Sequence, residues 1–410
     1  MKKNRMMVVA LAMFFSATLG VGLTGCSKDE PQPEIVENPL DKNLYHIVGV
    51  VTSDDDKVLE GVTVAIGDAK TTTDTNGAYQ LSVDKIGNHL VAFAKEGYVS
   101  ISKNVEIPSN ATKNSAVAVN QELASANAAV SAHPDSDTEI IEVKRAVSSL
   151  FVPAGAVKQK TDISITEYLE GASNTARASL STISCTPDGL KFEKPIELKV
   201  KNNMSTAIRF ADVKHFVEKN GVWVEEGDAP FDAEKNAYMI EMNGFSNHSA
   251  RANSSKKDAG TSKVELNSIE VDNRGNMNAV AQKVTFKQKS GWEIKDDLSS
   301  QISAAFSGLS ASDIEGLSEA LTRSIAQSQG STVGVKEMEV SLGDAKISGD
   351  TKMIVSLQEK QKTTTMSYVM NYQGRDITFN IDVVTYAGVD TQITYEYGEH
   401  FTDHSGGGAH

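Results

Sequence analysis

His215 and Glu218 stand three residues apart, a spacing that paired zinc ligands use. The local pattern reads as a strand, however, and on a strand positions 215 and 218 face opposite ways, so they are not expected to share a metal. Asp74-Thr75-Asn76-Gly77 imitates part of a calcium loop. Thr72 stands where the first acidic ligand belongs and Val83 where the bidentate glutamate would be, so turn chemistry is the expected reading. Asp54-Asp55-Asp56 reads as a solvated turn. His400, His404 and His410 cluster near the C-terminus, but Gly406-Gly407-Gly408 beside them offers no helix to align imidazoles, and a His/Gly-rich tail is expected over 399–410. Trp223 and Trp292 could each serve as a stacking platform; Val222 and Val224 make packing the expected role of Trp223.

The chain has no Gly-rich phosphate loop, nucleophile elbow, Cys-x-x-Cys pair or zincin helix. No catalytic, metal-ligating or cofactor-binding residue is therefore nominated, and the protein is expected not to be an enzyme. Its 410 residues carry 40 Lys and Arg against 54 Asp and Glu, for a formal charge of −14. That acidic balance argues against a nucleic-acid partner, which needs clustered cations. The length suits two to four domains, each able to bury its own core.

Lys2, Lys3 and Arg5 precede an apolar run from Met6 to Phe15 and then small residues, the order of a secretory signal over 1–25. Leu23-Thr24-Gly25-Cys26 resembles the lipobox of bacterial lipoproteins. The resemblance implies lipidation of Cys26, which becomes the mature N-terminus, and hence a membrane partner through an acyl anchor. Cys185 is then left without a cysteine to pair with, and Ile183, Ser184 and Thr186 around it point to a buried, inert thiol. Residues 26–41 form an acidic tether with Pro31, Pro33 and Pro39, long enough to hold the body up to about 45 Å from the membrane. Asp29-Glu30, just after the lipidated cysteine, resembles the export signal of Bacteroidetes surface lipoproteins, which implies an outer-membrane protein facing the exterior.

Three bodies are expected beyond the tether. Over 42–123, short alternating runs are separated by turns, and Asn76-Gly77 signals a hairpin. Gly49-Val50-Val51, Leu59-Glu60-Gly61-Val62, Thr73-Asp74-Thr75-Asn76-Gly77-Ala78-Tyr79 and Lys95-Glu96-Gly97-Tyr98 resemble the carboxypeptidase regulatory-like domain. That resemblance implies a transthyretin-like sandwich without catalysis.

A linker is expected over 124–138. Residues 139–250 follow, where Leu150-Phe151-Val152-Pro153, Pro187-Asp188-Gly189-Leu190 and Phe245-Ser246-Asn247-His248 resemble the β-sandwich of ankyrins and netrin receptors, a structural or protein-binding module.

A second linker is expected over 251–262, then an α+β domain over 263–398. Ser312-Asp313-Ile314-Glu315 reads as a capping box, and Ile314, Leu317, Leu321 and Ile325 share a helical face ending at Gly330. Met366 to Tyr372 and Ile377 to Val383 alternate about Gln373-Gly374, a hairpin. The expected fold class is mainly β: two β-sandwich domains, then an α+β domain with one helix on an antiparallel sheet.

These features together favour a lipid-anchored, non-catalytic surface protein for adhesion, glycan or protein binding, or scaffolding in an outer-membrane assembly. The alternative is a hydrolase with its site in 263–398.

Overall fold

The computed structural model describes residues 44–142, 144, 145, 147–171 and 175–398. The signal segment, Cys26, the tether and the tail with His400, His404 and His410 lie outside the described residues.

The first eight strands are β1 (Tyr45–Ser53), β2 (Thr63–Ile66), β3 (Ala69–Thr72), β4 (Ala78–Val83), β5 (Gly87–Ala94), β6 (Ile101–Ile107), β7 (Ala116–Ala118) and β8 (Gln121–Leu123). One sheet runs β3-β2-β5-β6; facing it, β1 pairs with β4 antiparallel and with β7 and β8 parallel. Alternate residues of both sheets, among them Ile47, Val51, Val62, Val64, Val91 and Phe93, fill the space between. The Asn76-Gly77 turn is not a hairpin. β3 pairs with β2 and β4 with β1, so this turn carries the chain from one sheet to the other. The Asp74 carboxylate accepts from the backbone N–H of Asn76 and Ala78, at 2.8 and 2.9 Å, which fixes the reversal without dictating strand pairing.

The next group comprises β9 (Val130–Ala132), β10 (Thr138–Ile141), β11 (Ser148–Val152), β12 (Thr161–Glu167), β13 (Ser179–Thr186) and β14 (Lys191–Lys201). It continues with β15 (Ile208–Phe210), β16 (Lys214–Lys219), β17 (Val222–Asp228), β18 (Phe231–Asp232), β19 (Ala237–Gly244) and β20 (Asn247–Arg251). A five-stranded sheet, β10-β11-β14-β19-β18, and a six-stranded sheet, β17-β16-β20-β13-β12-β9, form a second sandwich. The stretch expected as the first linker therefore contributes a strand: β9 pairs with β12 from Thr161↔Ala132 to Ile163↔Val130. Three residues are too few to show alternation, so the sequence gives no sign of it.

The rest comprises β21 (Ser254–Glu265), β22 (Ile269–Asp272), β23 (Val280–Ile294), α1 (Leu298–Ala305), α2 (Ala311–Gln329), β24 (Gly334–Ile347), β25 (Thr351–Tyr372) and β26 (Arg375–Tyr397). The stretch read as the second linker is corrected as well. β21 lies along β25 from Ser254↔Tyr368 to Glu265↔Gln358. Its side chains are almost all exposed, so its backbone ladder holds it and no apolar period marks it. The β25–β26 hairpin turns at Gln373-Gly374, with φ of 51° and 79°, the left-handed pair that a two-residue turn requires.

Two helices stand where one was expected. α1 is a short piece capped by Asp297, whose side chain accepts from the Ser300 N–H. α2 begins at Ser310 rather than Ser312: the Ser310 hydroxyl accepts from the Asp313 N–H, and the Asp313 carboxylate takes the Ser205 N–H at 2.7 Å. Leu317, Leu321 and Ile325 are fully buried on one face of α2, in a core that includes Leu150 and Ile165 of the second sandwich and Met366, Tyr368 and Ile381 of the hairpin. Each such side chain contributes about 1.5–3 kcal/mol.

Backbone pairing crosses the expected boundaries. β26 pairs with β7 at Gly388↔Val117 and Val389↔Ala116, and β25 with β15 from Ile208↔Tyr372. One eleven-stranded sheet thus draws on all three stretches. It explains why all nine residues of β1 are buried. Ile47 and Val51 face the first sandwich's core, while Val48 and Val50 lie in a cluster with Phe286, Val340 and Val355. The near-continuous Ile-Val run of β1 is the composition of a strand covered on both faces.

Candidate functional site: a cleft between two sandwiches

A buried polar junction fixes the parts that form the site. The Glu122 N–H of β8 donates to the Gly330 carbonyl at the end of α2, at 2.6 Å, and the Gly171 N–H donates to Gln327 O at 2.7 Å. Gln121 donates its amide to Leu169 O at 2.8 Å. Lys103 of β6 donates to Gln329 O at 2.8 Å and Asn120 O at 3.3 Å, so a cation from the first sandwich caps the negative end of α2. Burial lowers the Lys103 amine to about 8. Gly330 has φ +75°, and a Cβ there would lie 2.6 Å from Gln121 Oε1.

Two carboxyls at this junction titrate unusually. Burial pushes Glu122 up to about 7, partly offset by its ion pair with Arg145. Burial also pushes Glu167 up to about 7, with Arg323 and Arg145 opposing. Neither oxygen of Glu167 has a hydrogen-bond partner among the described residues.

Beside the junction lies a cleft of about 350 Å³, within the range of small-ligand sites. One wall is the outward face of the first sandwich: alternation on β6 buries Ile101 and leaves Ser102 and Asn104 facing out, with the half-exposed Leu90 of β5 beside them. The other wall is the second sandwich. There β16 and β17 meet at Asn220-Gly221, with φ of 53° and 77°, and Glu218, Trp223 and Asn247 line the space.

Its deeper end is organised by charge. Arg251 forms a fork on Glu170, with Nη1–Oε1 at 2.8 Å and Nη2–Oε2 at 2.6 Å, both side chains almost wholly buried. Its guanidinium also lies 4.6 Å from the Trp223 ring centroid. Burial raises the Glu170 carboxyl, and Arg251 works against the shift. Glu218 accepts from Asn247 Nδ2 at 2.6 Å. Tyr168 packs its ring into the first sandwich's core although it belongs to the second sandwich's chain segment, and it also lines the cleft. Burial first, then Glu218 and Glu170, hold its phenol well above the ordinary value.

The residues singled out by spacing lie elsewhere. His215 and Glu218 do not converge: His215 Nε2 lies 3.0 Å from His248 Nδ1, while Glu218 faces the cleft. Burial lowers both histidines to about 4. The acidic run disperses, Asp54 to Lys144, Asp55 to Lys57 and Asp56 to Thr332. Cys185 is buried, and burial raises its thiol. Trp292 is core, its indole N–H donating to Ser331 O at 3.0 Å. Trp223 is buried as packing predicts and also lines the cleft. Tyr168, Glu170 and Arg251 gave no signal, because a fork between positions 81 apart leaves no local spacing.

The first wall can be assigned. Residues 46–120 match the carboxypeptidase regulatory-like domain. The two-sheet architecture described above is the one that resemblance implies. No curated protein matches the chain.

Among solved structures, a candidate membrane-associated protein of unknown function from Bacteroides fragilis aligns at 10% identity and TM-score 0.35, covering 87% of this chain and 99% of the other. A candidate pore-forming toxin from Bacteroides vulgatus aligns at 8% identity and TM-score 0.28, covering 86% and 91%. The full-length major pilin SpaD from Corynebacterium diphtheriae aligns at 9% and 0.17, covering 76% and 86%. Overlaps this loose carry no argument about fold or function.

Proposed function

We propose that this chain is a lipid-anchored, non-catalytic binding protein of the outer membrane, displayed on the cell exterior through Cys26 and its acidic tether. The observation that supports a binding role is the cleft between the carboxypeptidase regulatory-like domain and the second sandwich, which shared backbone and side-chain bonds hold in register. Both of its carboxylates are engaged, Glu170 by Arg251 and Glu218 by Asn247, which suits a recognition surface better than a general acid. The hydrolase reading for 263–398 has less support. There Arg274 holds Asp272 down at about 2, and at Asp390 burial is outweighed by Lys263 and Lys360, so both carboxyls are kept ionised.

The test is capture. The soluble body, residues 42–410, is immobilised and challenged with glycan arrays and outer-membrane extracts. Saturable capture of one ligand supports the reading. Turnover of a captured ligand, or no capture from either source, contradicts it.

A further inference from the structure

The cleft between the sandwiches is lined by Tyr168, whose ring is anchored in the first sandwich's core. Tyr168 is almost fully buried. A phenol held in place by its ring and reachable from the cleft can donate to and accept from a ligand hydroxyl there.

The other walls narrow the choice of group. No Lys or Arg lines the cleft; its ionisable lining groups are Tyr168, Glu170 and Glu218. Both Nη atoms of Arg251 behind it are committed to Glu170. An anionic ligand would thus meet carboxylates with no lining cation to offset them. A cationic ligand would find one accessible carboxylate, Glu218, already accepting from Asn247. What the lining offers instead is a mixture. Serine hydroxyls and the amides of Asn104 and Asn220 both donate and accept, beside the apolar surfaces of Trp223 and the half-exposed Leu90.

We propose that this cleft binds a neutral sugar ring, its hydroxyls meeting Tyr168, Glu218 and the asparagines and its C–H surface meeting Trp223 and Leu90. This rests on the binding reading above and names its ligand class. About 350 Å³ accommodates a short saccharide, not a folded partner.

The experiment titrates the full chain, solubilised in a detergent without a sugar headgroup, with neutral trisaccharides of glucose, mannose and xylose. A uronic-acid trisaccharide and a lysine-rich peptide run in parallel. Calorimetry and tryptophan fluorescence report binding, Trp223 being the cleft's own probe.

At least one neutral trisaccharide is expected to bind, about tenfold more weakly in Tyr168→Phe, which keeps the ring and therefore the packing. Glu218→Gln is expected to weaken it as well, with unfolding midpoints checked for both variants. Binding of the uronate or the peptide alone overturns the proposal, as does sugar binding that both folded variants leave untouched. So does the absence of any sugar binding. If outer-membrane extracts still yield a captured ligand in that case, the sugar assignment fails while the binding function stands.

Discussion

Lys103 Nζ lies 2.8 Å from the carbonyl oxygen of Gln329, so the last turn of α2 is closed by a side chain 226 residues earlier in the chain. Helix ends leave carbonyls unsatisfied, and here the partner comes from another sandwich. Lys103→Met is expected to destabilise the chain by about 1–3 kcal/mol in urea unfolding, because a buried acceptor loses its donor. Gly330→Ala strikes the same point through the backbone. Its Cβ would press on Gln121 Oε1 and lie 3.0 Å from Gly171 Cα, and the left-handed φ adds strain of ~1–3 kcal/mol. If both variants unfold as the wild type does, these contacts do not hold the end of α2 in place.

The Glu170–Arg251 fork predicts an asymmetry. Arg251→Leu strands a buried carboxylate and is expected to cost about 3–5 kcal/mol at neutral pH. Glu170→Leu combined with Arg251→Leu removes both charges and is expected to recover much of that. Equilibrium unfolding of the three variants measures it, and a double variant as weak as the single one contradicts the burial argument.

Acid and base pull this fold in opposite directions. Burial raises the folded pKa of Glu167 from the ordinary 4.5 to about 7. Its contribution is therefore fully present below about 4.5 and is lost as pH rises through 7. The His215–His248 pair has folded values lowered from 6.5 to about 4, so its contribution is present above 6.5 and is lost as pH falls toward 4. Glu167→Gln is expected to raise stability at pH 8 by on the order of 2–3 kcal/mol and to change it little at pH 4. Thermal unfolding across pH 4–8 reads this, and parallel wild-type and variant profiles contradict it.

Much of the fold was legible because it rests on period and turn chemistry. The α2 face from Leu317 to Ile325 and the Gln373-Gly374 hairpin each announce themselves within a short window. Pairing across distance is a different matter. β21 carries no apolar alternation, and Asn76-Gly77 specifies a reversal but not whether the strands it joins bond to each other. The candidate site was the least legible part. Trp223 drew notice for its type alone, whereas Tyr168, Glu170 and Arg251 acquire meaning only once β12, β13 and β20 lie side by side.

The anchor has its own direct test. Cys26→Ala is expected to move the protein from the membrane pellet to the soluble fraction and to abolish incorporation of labelled fatty acid, since acyl chains are the proposed hold on the bilayer. A variant that still pellets and still incorporates label contradicts lipidation at this position.

Surface display is the claim on which a binding role depends, and protease shaving of intact cells tests it most directly. Cells expressing the full chain are treated with a protease that does not enter them, with a known periplasmic protein followed as the integrity control. Loss of the full-length band while that control survives is the predicted result. Full protection of the chain, under conditions that digest it in lysed cells, would place the body inside the envelope and contradict the account.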